Sequence, residues 1–288
     1  MTSNLGGFLG AWSLDLFVLA NLAGATAWYL WAVNRVKRQG RWPGWMTTCF
    51  LLGIALLALA YLGPMSAWSH TFFWVHMTQH LIVMMAAAPL LVLGSPVTLA
   101  FLASSPATRR RWVLPILRSQ AVRVLTNPII TWAFFAAVLL GLHFTPFYNW
   151  ALTNHDADQF IEQPLYLIAA FLFYFPLIGS NLQPRRPAPA MRLLSMALMM
   201  VPESIVGAVI YFASVVLYPA FPLERPFGPD PMGDQQLAGA MMWALVMVVD
   251  SFWMMLAAVD WFNSEERSGR RVNAEIDAEI EAEVAKGT

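Results

Sequence analysis

The amino-acid sequence predicts an all-α, polytopic membrane protein, a bundle of seven transmembrane helices, and three observations carry that expectation. Of 288 residues, 58% are hydrophobic and only 12% are charged, about half the charged share of a soluble domain. Apolar runs of roughly 20 residues, long enough to cross a ~30 Å hydrocarbon layer, recur along the chain. The basic residues fall between those runs, and almost all of them fall between alternate runs.

The spans are read at about 9–33, 45–63, 71–93, 127–146, 161–182, 193–217 and 237–262. No basic residues precede the first run in "MTSNLGGFLGAW", so it reads as a retained span rather than a cleaved signal. Arg35, Lys37, Arg38 and Arg41 follow span one. Arg109, Arg110, Arg111, Arg118 and Arg123 separate spans three and four. Arg185, Arg186 and Arg192 separate spans five and six, and Arg267, Arg270, Arg271 and Lys286 follow span seven. Sixteen of the 17 Lys and Arg thus share one side, with Arg225 alone opposite. The positive-inside rule then places the N-terminus outside and the C-terminus in the cytoplasm.

Two connections are long. Segment 94–126, which includes "SSPATRRRWVLPILRS", predicts a short amphipathic helix anchored on the inner leaflet. Segment 218–236, "YPAFPLERPFGPDPMGDQQ", predicts an ordered, non-helical outer cap. The chain divides into a transmembrane domain, 1–262, and an acidic cytoplasmic tail, 263–288. Within the tail Ile276, Ile280 and Val284 fit a short solvated helix.

This topology places the polar residues by depth. At 1.5 Å per residue His76 lies roughly 8 Å, and His80 roughly 14 Å, below the outer surface. Their i, i+4 spacing puts both on one face of span three, with Met84 a turn further on and Met77 and Gln79 on flanking faces. Span four runs outward, so His143 returns to a depth near that of His76. His70 and His155 fall at the outer surface. Imidazole and thioether are copper ligands, and ligation offsets the cost of burying imidazole in a membrane. The alternative is that the histidines hydrogen-bond to neighbouring helices or to interfacial water. Asp15, Glu203 and Asp250 are intramembrane carboxyl groups that need a partner, a proton or a wet cavity. Asp15 is placed to orient an imidazole, and Glu203 and Asp250 to share a cavity below it. The single cysteine, Cys49, rules out an intrachain disulfide and a two-thiolate site.

Three phrases together resemble the CtaG family of multi-span cytochrome c oxidase assembly factors: "HMTQHLIVMMAAAPLLVLGSP" (76–96), "HFTPFYNWAL" (143–152) and "DQQLAGAMMW" (234–243). The resemblance implies a non-enzymatic, multi-pass protein of the bacterial inner membrane. Such a protein serves the maturation of a haem–copper oxidase, holding or delivering copper to its subunits. By position His76 and His80 match the family's paired histidines, His143 its histidine before the outer loop, and Asp234 with Gln235 its acid–amide pair. The depth and spacing of the three histidines then carry a copper-handling reading, in which His76, His80 and His143 hold one ion and the outer cap, with Asp234 and Gln235, gates exchange. Met77 or Met84 would then be a soft fourth contact. Where the family often carries His-x-x-Glu-His at the start of span five, this chain has "QFIEQ", Gln159 to Gln163, which leaves Glu162 as the ligand or supporting candidate there.

Two other classes compete. A b-type haem could be held between span-three and span-four histidines, although His76 and His80 stand too close for two stacked haems. A proton-coupled metal transporter could use Asp15, Glu203 and Asp250, although the two halves show no matching broken helices. Hydrolytic and nucleic-acid roles lack motifs: "HMTQH" has no general-base glutamate, and the basic residues track topology rather than a groove.

Overall fold

The computed structural model describes residues 10–12, 14–179, 187–225 and 227–287. Arg185 and Arg186 lie outside these residues, as do the side chains of His155, Arg267, Arg270, Arg271, Lys286 and the tail's Ile276, Ile280 and Val284.

Helix α1, Leu16–Lys37, starts where the Asp15 carboxylate accepts from the N–H groups of Phe17 and Val18, and ends with Arg35 and Lys37 in its last turn, each charge suited to its end of the helix dipole. Helix α2, Gly44–Trp68, is interrupted at Gly63, just before Pro64. Helix α3, Phe73–Ala103, breaks at Ser95, whose φ of +51° precedes Pro96. Helix α4, Pro128–His143, is capped by Asn127, whose side chain accepts from Ile129 and Ile130. It bends by 71° into α5, Pro146–Thr153. Then come α6, Asp158–Ile178, α7, Pro189–Phe212, and the 57-residue α8, Pro231–Gly287.

Among the described residues six helices are long and apolar enough to cross a membrane, or seven when the bent pair α4–α5 is counted as one span. The all-α bundle read from the sequence is therefore the observed architecture. Three details differ. The 94–126 connection is a succession of short helices, including Pro106–Thr108, Leu114–Leu117 and Gln120–Leu125, restarted by the Ser105 and Ser119 caps. The cap is non-helical only to residue 230, because Pro231 starts α8 and puts Asp234 and Gln235 on its first turn. Finally, the helix expected to be separate in the tail is continuous with α8, which passes residue 262 without a break.

Side-chain links fix how the helices run. Arg192, early in α7, meets Asp260, late in α8, at 3.0 Å, so these two are antiparallel. They touch closely: a Cβ on Gly239 would lie 2.7 Å from the Tyr211 nitrogen and 2.8 Å from the Gly207 oxygen. Helices α3 and α8 run parallel, tied at Asp234 to Phe73 and again at Trp253, whose indole donates to the Met85 carbonyl at 2.8 Å. The starts of α3, α6 and α8 and the ends of α4 and α7 therefore gather at one end of the bundle. One core cluster joins α3, α4, α6, α7 and α8; a second joins α1 and α2 to the later part of α3. There Tyr29 stacks on Phe50 and donates to the Gly94 carbonyl at 2.7 Å.

Candidate metal site

His76 and His80 stand one turn apart near the start of α3, both buried. Their rings meet edge-on, with centroids 4.3 Å apart, and their Nε2 atoms lie 2.7 Å from each other. Glu162 of α6, with 0% exposure, brings Oε1 to 3.4 Å from His76 Nε2 and 3.2 Å from His80 Nε2. Among the described residues, these three form the group of His, Cys, Asp or Glu side chains close enough to hold one ion.

Two wide π-helical turns frame the trio. Asp158–Glu162 ends at Glu162, and Ile82–Ala87 follows His80 within one residue. Such turns carry an extra residue and shift the facing of the side chains around them, and they recur at functional sites. The start of α3 has no side-chain cap of its own. Instead Asp234 reaches across from α8, accepting from Phe73 N at 2.8 Å and Trp74 N at 2.9 Å. Arg225 pairs with the same carboxylate at 2.5 Å. Gln235 accepts from Leu217 N at 2.7 Å and donates to the Val215 carbonyl at 3.1 Å, fixing the chain that leaves α7. Gln79 donates to the Ala60 carbonyl at 3.1 Å, tying α3 to α2.

The electrostatic problem is plain. A buried carboxylate faces two imidazole nitrogens, and Glu162 Oε2 and both histidine Nδ1 atoms have no hydrogen-bond partner. One proton between the Nε2 atoms, or between one of them and Glu162, joins only two of the three converging atoms. A cation among His76 Nε2, His80 Nε2 and Glu162 Oε1 engages all three and neutralises the carboxylate. The triangle of 2.7, 3.2 and 3.4 Å admits a point about 2.0–2.1 Å from every corner, the length of a metal–nitrogen or metal–oxygen bond. The donor set therefore fits a small transition-metal ion.

The remaining candidates divide. His143, at the end of α4, is not part of the trio; its ring stacks on Tyr148 with centroids 5.1 Å apart, while Tyr148 also packs edge-on against His76. His80 and His143 line one small cavity of about 20 Å³, together with Met77, Met84, Tyr166 and Glu203, room for about one water or ion. Asp250 accepts from the Tyr174 hydroxyl at 3.4 Å and is a near neighbour of Glu203. Asp15 caps its own helix and accepts from Gln159, so its carboxylate serves α1 and α6 rather than an imidazole. Two aromatic neighbours, Tyr148 and Tyr166, were not among the sequence candidates. Tyr166, whose ring lies 4.3 Å from that of His80, was within reach of sequence reasoning, being one turn after Glu162.

The fold and site define a polytopic helical membrane protein with a buried His–His–carboxylate group at one end of the bundle. The chain belongs to the family described as cytochrome c oxidase caa3 assembly factor (CtaG), whose model matches residues 27–264. It is 27% identical over 281 residues to uncharacterized proteins of Mycobacterium bovis and Mycobacterium tuberculosis, and 24% identical over 273 residues to one of Mycobacterium leprae. These alignments cover 91%, 91% and 92% of this chain and 41% of each relative, so the chain spans about two-fifths of their length. No solved structure matches.

Proposed function

We propose that this protein handles copper for the assembly of a caa3-type cytochrome c oxidase, in the bacterial inner membrane, without catalysing a reaction itself. His76, His80 and Glu162 hold one copper ion as cargo for an oxidase subunit. The histidine end of the bundle faces outward and the acidic tail, 263–288, follows the 1–262 transmembrane domain into the cytoplasm, in keeping with the distribution of Lys and Arg.

The observation that carries this reading is the convergence of His76 Nε2, His80 Nε2 and Glu162 Oε1 within 4.8 Å of one another in a fully buried site. Two imidazoles and a carboxylate suit Cu(II) or zinc, and the thioethers of Met77 and Met84 beside His80 favour copper, above all Cu(I). A cavity of about 20 Å³ suits a single ion rather than a porphyrin, which weighs against the haem alternative. Asp234 and Gln235 act by holding the outer ends of α3 and α7 in place. Family membership supplies the client class.

The test is made in cells. A strain lacking the protein is complemented with the wild-type chain, with Glu162→Gln or with His80→Ala, and copper per haem is measured in the purified oxidase. Wild type restores the ratio and the variants leave it low. Full copper loading with both variants contradicts the proposal.

A further inference from the structure

His143 stands between two spaces. It is one of the residues lining the buried cavity beside His80, and it also lines a surface groove of about 450 Å³ at the α4–α5 bend, together with Thr145, Asn149, Val209 and Leu217. Among the described residues no second one lines both spaces. Its side chain is 4% exposed.

The tautomer follows from its contacts. His143 Nδ1 lies 2.8 Å from the Leu139 carbonyl oxygen, which can only accept, and 3.3 Å from the Tyr166 hydroxyl, which can accept or donate, so the shorter contact puts the proton on Nδ1. Nε2 therefore presents a bare lone pair, and it is buried with no hydrogen-bond partner. The residue is also held from behind, since its own carbonyl accepts from the Tyr218 hydroxyl at 3.2 Å. A fixed, deprotonated imidazole nitrogen without a partner is a ligand-ready donor.

We infer that His143 is a transfer ligand, through which copper passes between the buried His76–His80–Glu162 site and the groove at the α4–α5 bend. This rests on the copper reading above and adds a route to it. In the exchange one Cu–N bond forms at His143 Nε2 as one at His80 Nε2 breaks. No electron moves and no proton is required, because the nitrogen is already bare. The 71° bend is what opens the groove: a straight continuation of α4 would place the residues after His143 along its own axis instead of turning them aside.

The test uses full-length protein in detergent micelles, loaded with Cu(I), and follows transfer to a colorimetric Cu(I) chelator. His143→Ala is expected to keep about one copper per chain and to transfer it at least ten-fold more slowly. In a second arm Thr145→Cys, in a Cys49→Ser background, is loaded and then capped with a bulky maleimide; capping is expected to slow transfer similarly relative to the uncapped protein. Transfer at the parental rate in either folded arm overturns the inference, as does outright loss of copper from a folded His143→Ala protein, which would make His143 a resident ligand. Should His143→Ala fail to fold, the capped protein decides alone. Parental protein that binds no copper defeats the copper reading itself, a result distinct from each of these.

Discussion

The carboxylate of Asp234 caps the helix that begins at Phe73, although 161 residues separate the two in sequence. Helix α3 thus takes its start, and the setting of His76 one turn later, from the first turn of α8. The carboxylate has 0% exposure and is paired with Arg225. Removing the acid orphans two backbone N–H groups and takes the counter-charge from the Arg225 guanidinium, which keeps only the Pro222 and Pro229 carbonyls.

Asp234→Ala should therefore destabilise the protein by about 3–5 kcal/mol, the scale of breaking a buried ion pair. Arg225→Met leaves the carboxylate its two N–H donors and should cost less, about 1–3 kcal/mol. Thermal unfolding in detergent checks the order. A larger loss for Arg225→Met would mean that the arginine, not the helix cap, holds this end together.

Glu162→Gln keeps the shape of the side chain and removes its charge. Copper affinity should fall by about 100-fold or more, at or beyond the upper range for loss of a supporting group around a metal. Gln159→Ala, a change at the amide that meets Asp15 rather than the imidazoles, should leave affinity near the parental value. Competition with a chelator of known affinity measures both.

His70 lies between the α2 and α3 spans, with its Nε2 3.3 Å from the buried Asp158 carboxylate. The hydrogen bond to Asp158 raises its pKa above the ordinary value, outweighing burial, and the charge of Glu162 adds in the same direction. Because the folded-state value is the higher one, this contribution to stability is complete below the unfolded pKa of about 6.5 and is lost as pH rises through the folded value. Melting temperature should decline as pH rises over that window, and His70→Gln should flatten the decline. An unchanged slope in the variant would show that other groups set it. With the His70 side chain 39% exposed, the effect is small.

Gly239→Ala puts a methyl group against the backbone of Tyr211 and Gly207. Backbone cannot yield as a side chain can, so α7 and α8 must separate, at a cost of about 1–3 kcal/mol. Gly24→Ala, where a Cβ meets nothing within 4 Å, should be neutral or slightly stabilising by helix propensity. Paired unfolding curves compare them.

The spans were legible in the sequence because a membrane demands length and apolarity, and both are local properties. Their ends were less so: Pro231 marks the start of α8 by the chemistry of a first-turn proline, while hydropathy rises only later. The His76–His80 pair was legible from helical period alone. Its third partner was not, because nothing in the spacing relates residue 162 to residue 76; only the match to a family pattern pointed there. The π turns at Ile82–Ala87 and Asp158–Glu162 leave no periodic trace over so few residues. Depth alone could not say that His143 would face the cavity beside His80 rather than join His76 and Glu162.

The most direct measurement is elemental analysis of the protein purified in mild detergent after equilibration with Cu(I) and removal of excess ion. The account predicts about one copper per wild-type chain and almost none in a folded His76→Ala, His80→Ala double variant. One copper per chain in that variant would contradict it.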